Sequence, residues 1–303
     1  MIAGPTASGK SALALALSRL TPATIINADA SQVYRDLRIV SARPSPEEED
    51  QAPHRLFGTI DGATAHSAAA WAADARLEVM AAQETARLPV LVGGTGLYLR
   101  TLLDGIAPVP DIDPVVRQNV RQMPVTDAYA ALQSADPAAS ERLSANDSSR
   151  VARALEVVIS TGKPLATWHA ERTGGIGGQA SVTAMVLLPP REWLFERCDR
   201  RFLTMLESGG IEEVRTLLNR QLDPALPVMR AIGVAQISQI LADLGSREAA
   251  IAAAQLATRQ YAKRQFTWFR NQPPADWERI VAQPDSDFVN KLAIKLRDRT
   301  LTS

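Results

Sequence analysis

The stretch that decides the fold is GPTASGKS, which runs from Gly4 to Ser11. It matches the phosphate-binding loop pattern G-x-x-x-x-G-K-[ST] at every required position. Small residues let consecutive backbone N–H groups surround phosphate oxygens, and the helix that follows directs its positive end at the same point. The lysine would supply a positive charge and the last hydroxyl a magnesium ligand. We expect the whole stretch to bind a phosphate or diphosphate: Gly4, Pro5, Thr6, Ala7, Ser8, Gly9, Lys10 and Ser11.

The flanking sequence favours this interpretation over an ordinary glycine-containing turn. Apolar Met1, Ile2 and Ala3 precede the loop, and SALALALSRL follows it, as a strand–loop–helix unit requires. A strand of this kind normally has about five or six residues. The first strand is therefore either short or begins before the sequence given.

Composition is that of an ordinary globular chain of 303 residues, with 46% apolar and 22% charged residues and no net charge. Any nucleic-acid surface must therefore be a local basic patch. The single cysteine, Cys198, excludes a disulfide framework and a cysteine zinc site, and the three histidines are scattered. No apolar run reaches the roughly 18 residues of a membrane span, and no signal peptide precedes the loop. We expect a cytoplasmic protein with no membrane association.

Two polar residues, Asp29 and Thr95, each follow the carboxyl end of a predicted strand. ATIINAD (Ala23–Asp29) is typical of a buried strand that ends in an acid, and we expect it to lie beside the first strand. Pro89–Val92 is a second such strand, followed by the turn that contains Thr95. Ligands bind at the carboxyl ends of parallel strands, so Asp29 and Thr95 should lie near the phosphate loop. A cap or turn role for Asp29 is the alternative.

The order of the predicted elements indicates an α/β fold of the P-loop NTPase-like type, a parallel sheet flanked by helices, with an all-helical insertion. The proline-rich IAPVPDIDP interrupts the α/β alternation, and residues 111–179 show helical patterns only. SVTAMVLLP (Ser181–Pro189) resumes the sheet, and the chain from Arg191 onward is predicted to be helical. We assign residues 1–110 and 180–303 to the core and 111–179 to the insertion.

The last long helix changes character along its length. Its segment Thr258–Arg270 contains Arg259, Lys263, Arg264 and Arg270, no acidic residue, and interleaved aromatic side chains. Such a combination can hold phosphates and stack on bases. The alternative is a helix whose aromatic side chains face the core and whose charges face water.

Taken together, these segments resemble tRNA dimethylallyltransferases, also called tRNA isopentenyltransferases, over nearly the whole chain. The resemblance rests on eight segments in the family's order: GPTASGKS, NADASQVYRDL, APHRL, LVGGTGLYL, DSSRVARALEV with TGKPL, RCDRRFLTMLESGGIEEV, PVMRAIGVAQ and ATRQYAKRQFTWFR. It implies transfer of a dimethylallyl group from dimethylallyl pyrophosphate to N6 of adenosine-37, next to the anticodon of tRNA. Pyrophosphate would be released, with Mg²⁺ as cofactor and a monomeric enzyme expected.

The resemblance also implies roles for individual residues. Asp29 would accept the proton of the amine, Thr95 would orient the donor or the amine, and Arg230 would join the loop on the pyrophosphate. Contacts with the anticodon stem-loop would come from Asp29, Ala30, Ser31, Gln32, Thr95, Arg117, Ser149, Arg150, Val151, Ala152, Arg153, Arg259, Lys263 and Arg264. Without the resemblance, Arg150 and Arg153 could equally form a solvated helix face.

The chain departs from the family pattern at a few positions. The usual G-L-D-I-G-T-A-K-P is replaced after Tyr34 by a stretch with Asp36 and Val40 at the two glycine positions, and the usual G-Y-x-Q has Val234 for its aromatic residue. Ser11 stands where the family has threonine. These changes affect the expected loop details and donor affinity, and leave Asp29 and the phosphate loop intact.

Two other functions remain compatible with the motifs. In a P-loop small-molecule kinase the loop would hold ATP and Asp29 would deprotonate an acceptor hydroxyl. A nucleotide-gated RNA-binding module would bind RNA without forming a product.

Overall fold

A computed structural model describes residues 1–301 of the chain. Its centre is a six-stranded sheet in which all neighbouring strands are parallel. The strands are β1 (Ile2–Ala3), β2 (Ala23–Asn27), β3 (His54–Arg55), β4 (Leu88–Gly93), β5 (Met185–Leu187) and β6 (Glu278–Ile280). Their order across the sheet is β3-β2-β4-β1-β5-β6. The parallel sheet with flanking helices confirms the predicted fold class.

The predicted pairing of β2 with β1 is wrong, because β4 lies between them. β4 pairs along its length with β2, from Ala23 opposite Leu88 to Asn27 opposite Val92, and its end pairs with β1. Chain order does not fix strand order in a doubly wound sheet, since each crossover can pass over a neighbouring strand. Parallel direction still places the carboxyl ends of β1, β2 and β4 at one edge.

Several strands are shorter than predicted or were not predicted. β1 has two residues, and the apolar run Ser181–Pro189 contributes only the three residues of β5. β3 and β6, which were not predicted, form the two edges of the sheet. Because β6 lies after Arg191, the prediction that this part of the chain is wholly helical is wrong. Edge strands of two or three residues with charged members carry almost no alternating pattern, which explains why the sequence did not reveal them.

Helices make up most of the remaining chain. In chain order they are α1 (Lys10–Ser18), α2 (Pro46–Glu49), α3 (Ala68–Glu84), α4 (Gly96–Asp104), α5 (Pro114–Gln122), α6 (Val125–Ala135), α7 (Pro137–Arg142), α8 (Ser148–Thr161), α9 (Leu165–Ala170), α10 (Arg191–Met205), α11 (Ile211–Asn219), α12 (Val234–Leu241), α13 (Arg247–Asn271) and α14 (Ser286–Leu301). A π-helical segment, Leu206–Gly210, joins α10 to α11, and a 3₁₀ turn, Pro227–Arg230, precedes α12.

The main core holds the phosphate loop in place through α1. Five consecutive residues of this helix, Leu13–Leu17, are buried, because it packs against the sheet on one side and against α14 on the other. Burial of one leucine side chain contributes about 1.5–3 kcal/mol. The helix that begins in the loop is therefore fixed along its length, and so is the loop.

The chain forms two compact units, one of residues Met1–Leu102 with the chain from Gln179 onward, and one of Leu103–Gly178. The second unit is helical and has its own core, in which Val120, Leu132, Val151 and Leu155 pack together. Its longest helix, α8, starts at the cap Asp147 and ends at Gly162, whose φ of +67° allows the left-handed termination. Within residues 1–301, no helix is both long and apolar enough to cross a membrane.

Candidate functional site

The phosphate loop joins β1 to α1 through a backbone with several left-handed residues. The φ angle is +147° at Gly4, +62° at Ala7 and +95° at Gly9. A Cβ atom at Gly4 would lie 2.4 Å from the carbonyl oxygen of Leu187, so a larger residue would force the loop away from β5. Gly9 is the N-cap of α1, which leaves the first N–H groups of the helix without intrahelical partners. The backbone thus offers donors to an anion at this end of α1.

The side chain of Lys10 folds back over the loop, where its Nζ donates to the carbonyl oxygen of Pro5 at 2.7 Å. Burial lowers the pKa of Lys10 to about 8; the nearby Asp29 carboxylate opposes this shift, and Arg201 adds to it. In the part of the chain that the structure describes, no carboxylate lies within ion-pair distance of Nζ. A phosphate oxygen would supply the missing counter-charge.

Asp29 follows β2 and is held by a local hydrogen-bond network. Its backbone N–H donates to Oδ1 of Asn27 at 2.8 Å, and Nδ2 of Asn27 donates to its carbonyl oxygen at 3.0 Å. Asn27 is fully buried, and Nε1 of Trp71 donates to its carbonyl oxygen. Oδ1 of Asp29 accepts from the N–H and the hydroxyl of Ser31 at 3.0 and 2.7 Å. Among the described residues only Oδ1 is bonded in this way, so Oδ2 remains available as a proton acceptor.

Thr95 lies directly before α4 and is hydrogen-bonded to Ala30, the residue that follows Asp29. Its hydroxyl oxygen accepts from the N–H of Ala30 at 2.9 Å, and its own N–H donates to the carbonyl oxygen of Ala28 at 3.1 Å. The phenol of Tyr261 also hydrogen-bonds to Thr95, and burial raises the pKa of that phenol. Thr95 is not among the residues that line the cavity described below.

Gln265, which was not predicted from the sequence, connects α13 to both glycine-containing loops. Its Oε1 accepts from the N–H of Thr6 at 2.8 Å, and its Nε2 donates to the carbonyl oxygen of Gly94 at 2.8 Å. The side chain is buried, so both hydrogen bonds are shielded from water. Gln265 belongs to ATRQYAKRQFTWFR, but nothing in the helical pattern shows that this polar residue points inward.

A cavity of about 730 Å³ opens above the loop and brings several predicted residues together. The predicted residues that line it are Thr6, Ala7, Ser8, Gly9, Lys10, Ser11, Asp29, Ala30, Ser31, Gln32, Arg230 and Arg264. The lining also includes residues that were not predicted to belong to the site: Arg197, Cys198, Arg201, Phe202, Met205 and Tyr261. Gly4, Pro5, Arg259 and Lys263 do not line it. The predicted convergence of Asp29 with the phosphate loop is therefore present.

The side chains of the basic segment of α13, Thr258–Arg270, have three different surroundings: some lie in the core, some line the cavity, and some face solvent. Arg259 forms an ion pair with Asp199 at 2.6 Å, whereas Lys263 is exposed. Arg264 is exposed and lies over the Tyr261 ring, 5.8 Å from its centroid. Phe269 is fully buried, so part of the aromatic set packs in the core.

In the helical unit, the residues predicted to contact RNA belong to α5 and α8, and some of them are exposed while others are buried. Arg117, Ser149, Arg150 and Arg153 are exposed, and Ala152 is half-buried. Val151 is fully buried in the core of this unit, so its side chain is not available to a ligand. Arg150 pairs with Asp147 at 3.4 Å, and Arg153 lies 3.8 Å from the buried carboxylate of Glu156. Both arginines therefore remain on the helix surface, each beside an acidic side chain.

The residues that depart from the family pattern, Asp36, Val40 and Val234, are each bonded or packed within the fold. The Glu213 carboxylate accepts from three consecutive N–H groups, those of Arg38, Ile39 and Val40, at 2.5, 2.9 and 2.8 Å. Asp36 pairs with Arg220 and accepts from the N–H of Gly62. Val40 is buried and lines the cavity. Val234 is buried too, at the start of α12.

The site offers a magnesium ion a small number of protein oxygen ligands. The hydroxyl of Ser11 and the carboxylate of Asp29 line the same cavity. No group of three or more His, Cys, Asp or Glu residues that could hold a metal occurs within residues 1–301. This donor set suits Mg²⁺, which is commonly held by few protein ligands together with phosphate oxygens and water.

The fold and the site define a class of protein. A parallel α/β sheet with a phosphate loop that opens into a polar cavity at the strand ends is typical of proteins that bind phosphorylated ligands.

Comparison with known proteins gives the family. Residues 32–272 match the family described as IPP transferase, and the chain belongs to that family. It is 59% identical to the tRNA dimethylallyltransferase of Sphingopyxis alaskensis over 100% of this chain and 99% of that protein. Among solved structures, the tRNA isopentenylpyrophosphate transferase of Bacillus halodurans is similar with a TM-score of 0.68 and 30% identity, covering 99% of this chain and 97% of that one. A eukaryotic dimethylallyltransferase described as acting on tRNA has a TM-score of 0.74 and 26% identity, covering 88% and 68%.

Proposed function

We propose that this protein transfers a dimethylallyl group from dimethylallyl pyrophosphate to N6 of adenosine-37, beside the anticodon of tRNA. Family membership and the full-length similarity to tRNA dimethylallyltransferases support this function over the kinase alternative. The main structural support for this function is that Asp29 and Lys10 line the same cavity as the rest of the phosphate loop. An acceptor of the amine proton and a site for the departing diphosphate are thus adjacent.

The loop binds the leaving group of this reaction. Backbone N–H groups, the ammonium group of Lys10 and the guanidinium of Arg230 neutralise the charge that grows on the diphosphate as it departs. Ser11, together with oxygens of the diphosphate, would hold Mg²⁺, which would supply further positive charge against the departing group. The loop therefore stabilises a departing pyrophosphate and transfers no phosphoryl group.

Asp29 acts as the general base. As N6 attacks, the bond from C1 of the dimethylallyl group to the diphosphate oxygen breaks, the N6–C1 bond forms, and one N6 proton moves to Oδ2 of Asp29. The Ser31 hydrogen bonds leave that oxygen free and fix the orientation of the carboxylate. A positioned base of this kind typically contributes about 10²–10⁴-fold in rate. Thr95 supports the site indirectly, since it holds Ala30.

The adenine must leave its stack to reach the cavity, as in other enzymes that act on bases. Contacts with the anticodon stem-loop come from Asp29–Gln32 and Arg264 at the cavity, and from Lys263 and Arg259 along α13. In the helical unit the exposed side chains of Arg117, Ser149, Arg150 and Arg153 contribute, whereas the predicted contact from Val151 is withdrawn because its side chain is buried and its N–H donates to the carbonyl oxygen of Asp147 at the start of α8. The enzyme acts as a monomer in the cytoplasm, where its tRNA substrates are found.

The function is tested by incubating the protein and unmodified tRNA with dimethylallyl pyrophosphate or with ATP. Nucleosides from the digested tRNA are then analysed by mass spectrometry. Dimethylallyl-adenosine should form with the first donor only. Phosphorylated product with ATP and no prenylated nucleoside would establish the kinase alternative, and tRNA binding with neither product would indicate an RNA-binding module.

A further inference from the structure

Residues 38–42 form an irregular turn on one side of the cavity. Three of them line it: Val40, Ser41 and Ala42. The turn is closed by the N–H of Arg43, which donates to the carbonyl oxygen of Arg38 at 2.9 Å. Ala42 has a φ angle of +55°, in the left-handed region that a residue with a side chain rarely adopts. Such a conformation is strained and persists only where the surrounding structure fixes it. Contacts from elsewhere in the fold are therefore needed to hold this turn.

The carboxylate of Glu213, in the first turn of α11, supplies such contacts. Its Oε1 accepts from the N–H groups of Arg38 and Ile39 at 2.5 and 2.9 Å, and its Oε2 accepts from the N–H of Val40 at 2.8 Å. Among the described residues, these three N–H groups make no other hydrogen bond. The neighbouring Glu212 is exposed and pairs with an arginine of its own helix. The three donors of the turn thus depend on one carboxylate.

The side chain of Val40 packs against the residues that precede α11 and α12. It is buried, and a Cβ atom at Gly210 would lie 3.4 Å from its Cγ2. A Cβ atom at Gly233 would lie 3.0 Å from its Cγ1. The valine therefore occupies the space that these two glycines leave. Hydrogen bonds and packing act on the same residues, so the position of the turn is set by α11 and α12.

The carbonyl groups of this turn fix the side chain of Gln32. Nε2 of Gln32 donates to the carbonyl oxygen of Ser41 at 3.0 Å and to that of Ala42 at 2.7 Å. Carbonyl oxygens only accept hydrogen bonds, so the amide nitrogen must face them, and both of its hydrogens are used. Gln32 lines the same cavity as Asp29. Its Oε1 makes no hydrogen bond within residues 1–301, so this oxygen is available to a ligand.

We propose that Glu213 is a positioning residue for RNA binding, which fixes residues 38–42 so that Gln32 presents Oε1 as a hydrogen-bond acceptor to an N–H group of an RNA base. The identity of the ligand as RNA rests on the proposed function. Glu213 does not line the cavity and acts only through the turn. Without its carboxylate, three N–H groups lose their acceptor and the turn shifts. The Gln32 amide then loses the carbonyl groups that orient it.

The test measures the affinity of the full-length protein for an unmodified anticodon stem-loop by fluorescence anisotropy, and its affinity for inorganic pyrophosphate by calorimetry. Glu213→Ala should weaken stem-loop binding by about tenfold, the effect of one lost hydrogen bond to a base. Pyrophosphate affinity should not change, because the turn lies outside the phosphate loop. Glu213→Gln keeps an oxygen for two of the three N–H groups, so its loss should be smaller. The matched control is Glu212→Ala, which removes an exposed carboxylate from the same helical turn and should leave both affinities unchanged.

A double-mutant cycle tests whether Glu213 acts through Gln32. If it does, the double variant Gln32→Ala with Glu213→Ala should bind the stem-loop as weakly as Gln32→Ala alone. Losses that add in the double variant would overturn the proposal. Wild-type stem-loop affinity in a folded Glu213→Ala protein, verified by thermal unfolding, would overturn it as well. Equal losses of stem-loop and pyrophosphate affinity would show that Glu213 only stabilises the fold, against the proposal.

Turnover of the wild-type protein with dimethylallyl pyrophosphate and tRNA reports separately on the proposed function. If stem-loop binding depends on Glu213 through Gln32 but no tRNA is prenylated, the proposed function fails and the Glu213 assignment stands. If tRNA is prenylated and Glu213→Ala binds the stem-loop as wild type does, the Glu213 assignment fails and the proposed function stands.

Discussion

Replacing Asp29 by asparagine tests the proposed base with little disturbance of the fold. Oδ1 of Asp29 accepts two hydrogen bonds from Ser31, and an amide oxygen at the same position can accept both. The other carboxylate oxygen becomes an NH₂ group, which cannot take a proton from the adenosine amine. The substitution therefore removes the base function and preserves the geometry of the turn.

The expected effect follows from the role of a general base. The single-turnover rate of prenyl transfer should fall by about 10²–10⁴-fold in Asp29→Asn, equivalent to about 3–5 kcal/mol of transition-state stabilisation. Binding of tRNA should change little, because an amide can replace the carboxylate as a polar contact. The control Ser31→Ala removes one hydrogen bond to Oδ1 and keeps the base, so its rate should fall by less than about tenfold.

The assay is single-turnover formation of dimethylallyl-adenosine, measured by mass spectrometry of nucleosides with enzyme in excess over tRNA. Affinity for tRNA is measured in parallel with the same preparations. A rate for Asp29→Asn within a few-fold of wild type would refute the assignment of Asp29 as the base. A loss shared equally by Ser31→Ala would instead assign Asp29 a role in shaping the loop.

Three further predictions concern the loop and α13. Since the pKa of Lys10 is lowered to about 8, its ammonium group loses its proton as the pH rises through that value. Pyrophosphate affinity, measured by calorimetry, should therefore fall above about pH 8. Lys10→Met should abolish this pH dependence. Gln265→Leu leaves two backbone groups of the loops without partners and should destabilise the protein by about 2–5 kcal/mol, measured by denaturant unfolding; an unchanged unfolding midpoint would contradict the bridging role. Lys263→Ala and Arg264→Ala should each weaken tRNA binding and lower its salt slope by about one, whereas Lys291→Ala, an exposed lysine on α14, should not.

The phosphate loop and the residues at the strand ends could be predicted because the information is local. Four fixed residues in GPTASGKS specify a backbone shape, and β2 and β4 are continuous apolar runs that end in polar residues. Direction in a parallel sheet then places Asp29 near the loop, although the assumed strand order is wrong. The prediction for Asp29 depended on which end of the strand it occupies, and not on which strand is its neighbour.

The contacts that complete the site could not be predicted because they are made between distant segments. Gln265 and Thr6 are 259 residues apart in the sequence, and Arg201 and Thr6 are 195 apart. RCDRRF contains three arginines, and no periodicity shows that only one of them contacts Thr6. The Glu213 carboxylate that accepts from the N–H groups of residues 38–40 is equally invisible in the sequence, since it lies 173 to 175 residues further along the chain. Buried polar contacts of this kind depend on the packed fold.

The most direct test of the central claim is a structure of the protein with an unreactive dimethylallyl diphosphate analogue and an anticodon stem-loop. We predict that the diphosphate lies in the loop against Lys10, and that N6 of the unstacked adenosine lies about 3 Å from Oδ2 of Asp29. A bound adenosine whose N6 is out of contact with Asp29, or a diphosphate outside the loop, would contradict it.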